Sequence, residues 1–234
     1  MRAILIPVKQ FAEAKKRLAP HFSSAERAAL AEAMCEDFFE VVAAVHSAER
    51  VFVVSKEPRA LARAQRRGWE TIREYEQISE SDSVDAASQY CVAQGVNALL
   101  RLPIDLPLVE PQDIEAVFEA VTPSPAAVLV PSRDGTGTNA LLRTPPGLFP
   151  SRFGPNSFAL HLAEAERCGA GARVLRNVRL ELDIDELEDL RQLSTRLVPG
   201  SAIARWAMRN GLRMHRNETA LADFSAEGRG SAGR

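Results

Sequence analysis

The sequence is poor in the features that mark secreted, zinc-binding or membrane proteins. Its three cysteines, Cys35, Cys91 and Cys168, are far apart and form no C-x-x-C. An odd number so spaced supports neither a disulfide framework nor a zinc site, and it fits a reducing compartment. No apolar stretch approaches the roughly 18 residues of a membrane span. The run after Met1-Arg2 is stopped by Pro7 and Lys9 before it reaches signal-peptide length. A cytoplasmic location is expected. Charge of one sign is also lacking: 29 basic residues face 31 acidic ones, and no basic run exceeds Lys15-Lys16-Arg17. That argues against nucleic-acid and membrane-surface partners. Neither G-x-x-x-x-G-K-[ST] nor G-x-G-x-x-G occurs, so the P-loop and the dinucleotide fingerprint do not apply. The four histidines (His21, His46, His161, His215) have no ligand spacing, and no Ser–His–Asp or Cys–His set is evident. Covalent catalysis is therefore not expected.

What is present describes one folded unit. The chain has 234 residues, 46% apolar and 26% charged, enough for a sizeable core in one domain with extensions. Ala3–Val8, Val51–Ser55, Ala98–Leu102 and Ala126–Val130 read as buried strands. Between them lie helical segments: Ser24–Ser47, with Ser23 and Glu26 as a capping box, then Glu57–Arg66, Ser83–Gln94 and Pro111–Val121. This alternation predicts a mostly parallel sheet with helices on both faces. Residues 131–157 are rich in Gly and Pro and read as an inserted hairpin or lid. A helix over Ser157–Arg167, a strand over Val178–Ile184, a helix from Glu186 and a last one over Pro199–Asn210 complete the expected domain, residues 1–216. Asn217–Arg234 is polar and Gly-bearing without period, and is expected to be a flexible tail.

Ligands of open parallel sheets bind beyond the carboxyl ends of the strands, which shortens the search. After the first strand come Lys9, Lys15, Lys16 and Arg17, a basic loop able to hold polyphosphate or simply a solvated cluster. Asp105 follows the strand Ala98–Leu102, held between Pro103 and Pro107. On a strand over Val178–Ile184, Asp183 and Asp185 would share a face about 7 Å apart at Cα. Like charges so placed repel unless a cation lies near. Asp185 has a second reading as a helix N-cap partnered by Glu188, and both can hold. Ser132–Asn139 reads as a glycine-bearing loop able to nest an anion, or as a turn. Phe153-Gly154-Pro155-Asn156-Ser157-Phe158 leads into a helix whose positive end could take an anion, with Ser157 as an ordinary N-cap the alternative. His161, one turn beyond Ser157, reads as a satisfied structural histidine, with a functional role the alternative.

Ile6-Pro7-Val8-Lys9 with Ala14-Lys15-Lys16-Arg17-Leu18, Asp105-Leu106-Pro107-Leu108, Gly135-Thr136-Gly137-Thr138-Asn139-Ala140-Leu141, Phe153-Gly154-Pro155-Asn156-Ser157-Phe158 and Leu182-Asp183-Ile184-Asp185 occur in that order over residues 3–197. Together they resemble the phospholactate/phosphoenolpyruvate guanylyltransferase family, which serves synthesis of the deazaflavin coenzyme F-420. The resemblance implies a Rossmann-like nucleotidyltransferase fold of the nucleotide-diphospho-sugar transferase kind. It implies that Asp105, Asp183 and Asp185 hold magnesium (Mg2+), that Thr138, Gly154 and Ser157 hold the acceptor carboxylate, and that Lys9, Lys15 and Arg17 meet the triphosphate. GTP and a small phospho-carboxylate would be the substrates, and a homodimer is compatible. The family commonly carries Gly-Leu-Asn where the third helix begins; here the chain reads Ser81-Asp82-Ser83-Val84-Asp85. The rival expectations are another nucleotidyltransferase or nucleotide-sugar transferase of the same fold, and a non-catalytic nucleotide-binding module.

Overall fold

The computed structural model describes residues 1–76, 78–194 and 196–212. The expected tail lies outside the described residues. Strand and helix alternate as β1 (Arg2–Val8), α1 (Ser24–Ala43), β2 (Arg50–Ser55), α2 (Pro58–Arg66), β3 (Glu70–Arg73), α3 (Glu80–Ala93), β4 (Ala98–Arg101), α4 (Pro111–Glu119) and β5 (Ala126–Pro131). Then follow β6 (Thr138–Thr144), α5 (Ser157–Arg167), β7 (Gly171–Val174), α6 (Leu187–Ser194) and α7 (Ala202–Arg209). The strands form one sheet in the order β3-β2-β1-β4-β6-β5-β7. Every pairing is parallel except those of β6, which runs antiparallel to both β4 and β5.

Period-two alternation divides the core between the two faces of this sheet. Ile4, Ile6 and Val8 of β1 pack with α1, α2, α4 and α7 on one face. Ala3 and Leu5 pack with Phe52, Val54 and α3 on the other, and Ala127, Leu129 and Leu141 pack with α5. The α1 capping box forms as its sequence demands, Ser23 Oγ accepting from Glu26 N and the Glu26 carboxylate from Ser23 N. The C-terminal α7 is tied to α1 through the Asp37 carboxylate, which accepts from Ala202 N and Ile203 N, and through Trp206 Nε1, which donates to Glu26 O.

Two features differ from the sequence expectation. Residues 178–184 do not form a strand; the seventh strand is Gly171–Val174, parallel to β5. Leu180, Leu182 and Ile184 are buried, but so is Glu181, Val178 is exposed, and the backbone turns over 178–181 and joins no ladder. Its polar groups are met elsewhere: Arg133 N donates to Glu181 O, and Ile184 N to Asp105 O. Second, the segment expected as an inserted hairpin contributes β6, which enters the sheet between β4 and β5.

The β5–β6 ladder holds an irregularity of consequence. Val130 pairs with Ala140, but Pro131 pairs with Thr138, so Asn139 is an extra residue on β6. A bulge of this kind re-aims the side chains beyond it. Thr138 thereby shares the α5 face with Leu141 rather than the face of Ala140 and Leu142.

Candidate active site

Because β6 is reversed, its first residue stands where β4 and β5 end. The loops after β1, β4 and β5, the start of β6, the turn before α5 and the segment 182–189 thus surround one cleft of about 870 Å³. All nine residues singled out above border it: Lys9, Lys15, Arg17, Asp105, Thr138, Gly154, Ser157, Asp183 and Asp185.

The carboxylates converge without a strand beneath them. Oxygens of Asp105, Asp183 and Asp185 lie within 4.8 Å of one another. The bulged Asn139 holds their segment in place, its Nδ2 donating to Leu180 O at 3.0 Å, Glu181 O at 3.1 Å and Asp183 Oδ1 at 3.3 Å. Farther back, the Arg179 guanidinium grips Asp113 of α4 with two bonds of 2.7 Å. The N-cap reading of Asp185 is not found. Asp189 accepts from the amides of Asp185 and Glu186, which leaves the Asp185 carboxylate to Lys15 and Arg17.

Lys15 sits deeper than a phosphate-binding loop residue would. In the left-handed region at φ 54°, it turns its side chain inward to 8% exposure. Its ammonium lies 2.6 Å from Asp105 Oδ2 and 3.3 Å from Asp185 Oδ1, and it also donates to Ile184 O. Burial alone would lower its pKa, but Asp105 and Asp185 outweigh it and hold the pKa above the ordinary lysine value. Burial would raise the Asp105 carboxyl; Lys15 and Arg101 reverse this and hold it below its usual range. Asp183 has no such partner. Burial, then Asp105 and Asp185, push its carboxyl up to about 6. Lys9 and Arg17 are exposed at the rim, Lys9 Nζ 3.4 Å from Glu80 and Arg17 Nη1 3.3 Å from Asp185.

Across the cleft, the anion-nest reading of Ser132–Asn139 is not what forms. The loop's amides are satisfied internally: Gly135 N donates to Ser132 O, Thr136 N to Asp134 Oδ1 and Gly137 N to Ser132 Oγ. The same holds at the start of α5, where Ser157 N donates to Gly154 O and Phe158 N to Thr136 O. Asn156 rather than Ser157 occupies the N-cap position. Gly154 has φ 126°, a conformation that side chains rarely adopt, so glycine serves the turn. The hydroxyls are what this side offers: Ser157 Oγ lies 3.2 Å from Thr138 Oγ1, both buried at the cleft wall.

Sequence reasoning passed over Arg101 and favoured a structural role for His161. Arg101, at the last position of β4, lies on the cleft floor, its guanidinium 4.1 Å from the Phe153 ring centroid and bonded to Glu80. Burial lowers its pKa to about 10, which leaves it charged at neutral pH. An arginine ending an otherwise apolar run was the available signal. His161 bonds Thr138 through Nδ1 at 3.0 Å. Its signal was the i, i+4 spacing from Ser157 on one helix face. Of the departing third-helix segment, Ser81 Oγ accepts from Phe153 N and Asp85 accepts from Ser151 N and Ser151 Oγ; both brace the loop that leads to Gly154.

The sequence profile described as "Guanylyl transferase CofC like" matches residues 1–201. Phosphoenolpyruvate guanylyltransferase of Rubrobacter xylanophilus is 38% identical over 191 residues, covering 81% of this chain and 91% of that protein. 2-Phospho-L-lactate guanylyltransferase of Methanothermobacter thermautotrophicus is 30% identical over 189 residues, covering 81% and 82%. A solved candidate nucleotide-diphospho-sugar transferase from Desulfovibrio desulfuricans superposes with a TM-score of 0.70 at 16% identity, over 89% of this chain and 96% of that one, a likeness of fold. Among the described residues no helix is long and apolar enough to cross a membrane. The expectation of a non-catalytic module is set aside by these matches: the chain is a nucleotidyltransferase and belongs to the CofC-like guanylyl transferase family.

Proposed function

We propose that the cleft joins GTP to a small phosphorylated carboxylic acid, phosphoenolpyruvate or 2-phospho-L-lactate, giving a GDP-linked acid and pyrophosphate in coenzyme F-420 synthesis. The observation that carries this reading is the pairing across one cleft of a carboxylate cluster (Asp105, Asp183, Asp185) with a hydroxyl pair (Thr138, Ser157). The first suits the cation that accompanies a triphosphate, and the second suits a carboxylate. Names of relatives favour phosphoenolpyruvate as the acceptor, since the relative at 38% identity carries that name.

The chemistry asks little of the side chains. A phosphate monoester has its second pKa near ~6, so at neutral pH the acid's phosphate oxygen is already an anion and needs no general base. That oxygen attacks the α-phosphorus of GTP; the new P–O bond forms as the bond to the β-phosphate bridging oxygen breaks, and pyrophosphate leaves with the electron pair. Three oxygen donors of hard character, within 4.8 Å of one another, fit magnesium. Bound there, magnesium would neutralise charge on the reacting phosphates. Lys9 and Arg17 at the rim meet the outer phosphates, and Thr138, Ser157 and the turn at Gly154 orient the acid for in-line attack.

The test is magnesium-dependent pyrophosphate release, with GTP, ATP and CTP each offered phosphoenolpyruvate, 2-phospho-L-lactate and 3-phosphoglycerate. Release confined to GTP with one of the first two acids is expected. Release from ATP or CTP at the same rate, or only with 3-phosphoglycerate, would refute the assignment.

A further inference from the structure

His161 of α5 is fully buried behind the cleft wall, between the rings of Phe149 and Phe153. Its two nitrogens have different partners. Arg152 N donates to Nε2 at 2.8 Å, and an amide has only a proton to give, so Nε2 must be the bare nitrogen. The imidazole proton therefore resides on Nδ1, 3.0 Å from Thr138 Oγ1, and donates to that oxygen. Thr138 and Ser157 hold two hydroxyl protons between them, and one is engaged in the 3.2 Å bond that joins them. One is left over. With the opposite tautomer, Nδ1 would accept from Thr138, Thr138 from Ser157, and no hydroxyl proton would remain for the cleft.

We propose that His161 is a positioning residue of the acceptor pocket. By donating from Nδ1 to Thr138, it leaves the Thr138–Ser157 pair one outward O–H for an anionic oxygen of the acid. The inference rests on the reading that this pair holds the acceptor carboxylate. The neutral ring is secured by its surroundings. Burial, then the cations Arg143 and Arg101, push its pKa down to about 3 against the opposing pull of Glu164, with Arg152 adding a smaller push. Protonation would also set an N–H against Arg152 N–H. The tautomer thus reaches the ligand through two hydroxyls, although the ring itself touches no substrate.

Two measurements test this on the full-length protein. Nitrogen-15 NMR of the histidine side chains, with His161→Phe as the assignment control, should show at pH 7 a protonated Nδ1 and a bare Nε2. A proton on Nε2, or an imidazolium, overturns the proposal. In steady-state kinetics, His161→Phe should raise KM for phosphoenolpyruvate about three- to tenfold, the worth of one ordinary hydrogen bond, with kcat and KM for GTP changed less than about twofold. A ring that only fills space predicts a lower melting temperature with KM unchanged, and that result would also overturn it. Ser157→Ala separates the two levels: if it raises the acid's KM and His161→Phe does not, the role of His161 fails alone. If Ser157→Ala leaves that KM unchanged, the pocket assignment fails and this inference with it. Should His161→Phe not fold, the wild-type spectrum, assigned by His161→Gln, still decides.

Discussion

Lys15→Met removes the buried cation that bonds directly to the clustered carboxylates, and its cost can be worked from the distances. At an effective dielectric of ~20, unit charges 4.8 Å apart interact by about 3.5 kcal/mol. Three ionised carboxylates at that spacing therefore oppose folding by about 10 kcal/mol, and an ammonium 2.6 and 3.3 Å from two of them offsets about as much. Two effects soften the loss. Asp185 is nearly half exposed, so solvent screens its share. Asp183, already pushed up to about 6, can take a proton and so relieve its own two repulsions. About one carboxylate pair remains uncompensated, a loss of about 3 kcal/mol, in line with the removal of one member of a buried ion pair. For a chain of this size that is a fall in Tm of roughly 6–12 °C. The assay is thermal unfolding at pH 7.5 of wild type and Lys15→Met, in chelator and in millimolar magnesium. The variant should melt lower in chelator and gain more from magnesium than the wild type does. Equal melting temperatures in chelator, with equal gains from magnesium, would refute the idea that Lys15 is the resident counter-charge.

Asp183→Asn should keep the fold and lose most magnesium-dependent turnover; near wild-type activity would remove Asp183 from the metal site. Ser157→Ala deletes one charge-assisted hydrogen bond, so the acid should bind roughly ten- to hundredfold more weakly while GTP binding barely moves, as read by calorimetry on each ligand separately. His161 titrates at about 3 when folded against 6.5 in a free chain, so its neutral form is favoured by folding. That stability is complete above the unfolded value and is lost as pH falls toward the folded one. By pH 5 wild type should lose about 2 kcal/mol more than His161→Phe does, relative to pH 8. Parallel urea curves at the two pH values check this, and identical losses in both proteins would contradict it.

The elements that were legible in the sequence are those whose burial is uninterrupted or whose ends carry local signals. β1, β2, β4 and β5 are apolar runs covered on both faces, α1 begins where its capping box requires, and α5 spans its expected residues although Asn156, not Ser157, stands at its N-cap. The edge strands β3 and β7 were illegible because each has four residues, partly or wholly exposed, with no apolar period to detect. The strand expected over 178–184 arose from an apolar alternation in sequence that a different backbone also satisfies: residues 178–181 turn, burying Leu180 and Glu181 together, and Leu182 and Ile184 are buried beyond the turn. Asp183 and Asp185 were legible as chemistry, since paired carboxylates in sequence already ask for a cation, and Asp105 was legible by its place at a strand end between two prolines. Lys15 was not. Its inward turn depends on a left-handed backbone at a non-glycine residue, which no spacing rule announces. The hydroxyl pair was found for reasons that only partly hold, because the amides expected to receive the anion are engaged within their own loops.

The additional residue in β6 sets regularity against function. Deleting Asn139 would restore an unbroken ladder with β5 and bring Pro131 opposite the position that Thr138 would then fill. Strand parity would leave Thr138 on the Leu141 face, beside Ser157 and His161; only a regular pairing that kept Asn139 opposite Pro131 would turn Thr138 toward the apolar face of Ala140 and Leu142. The same deletion would cut the amide that tethers Asp183. The surplus residue thus serves the carboxylate bank of the cleft, while the hydroxyl bank depends on Thr138 rather than Asn139 standing opposite Pro131. The stretch Gly135–Ala140 should accordingly tolerate exchanges of side chain at Thr136 far better than loss of Asn139, whose amide reaches Leu180, Glu181 and Asp183 at once.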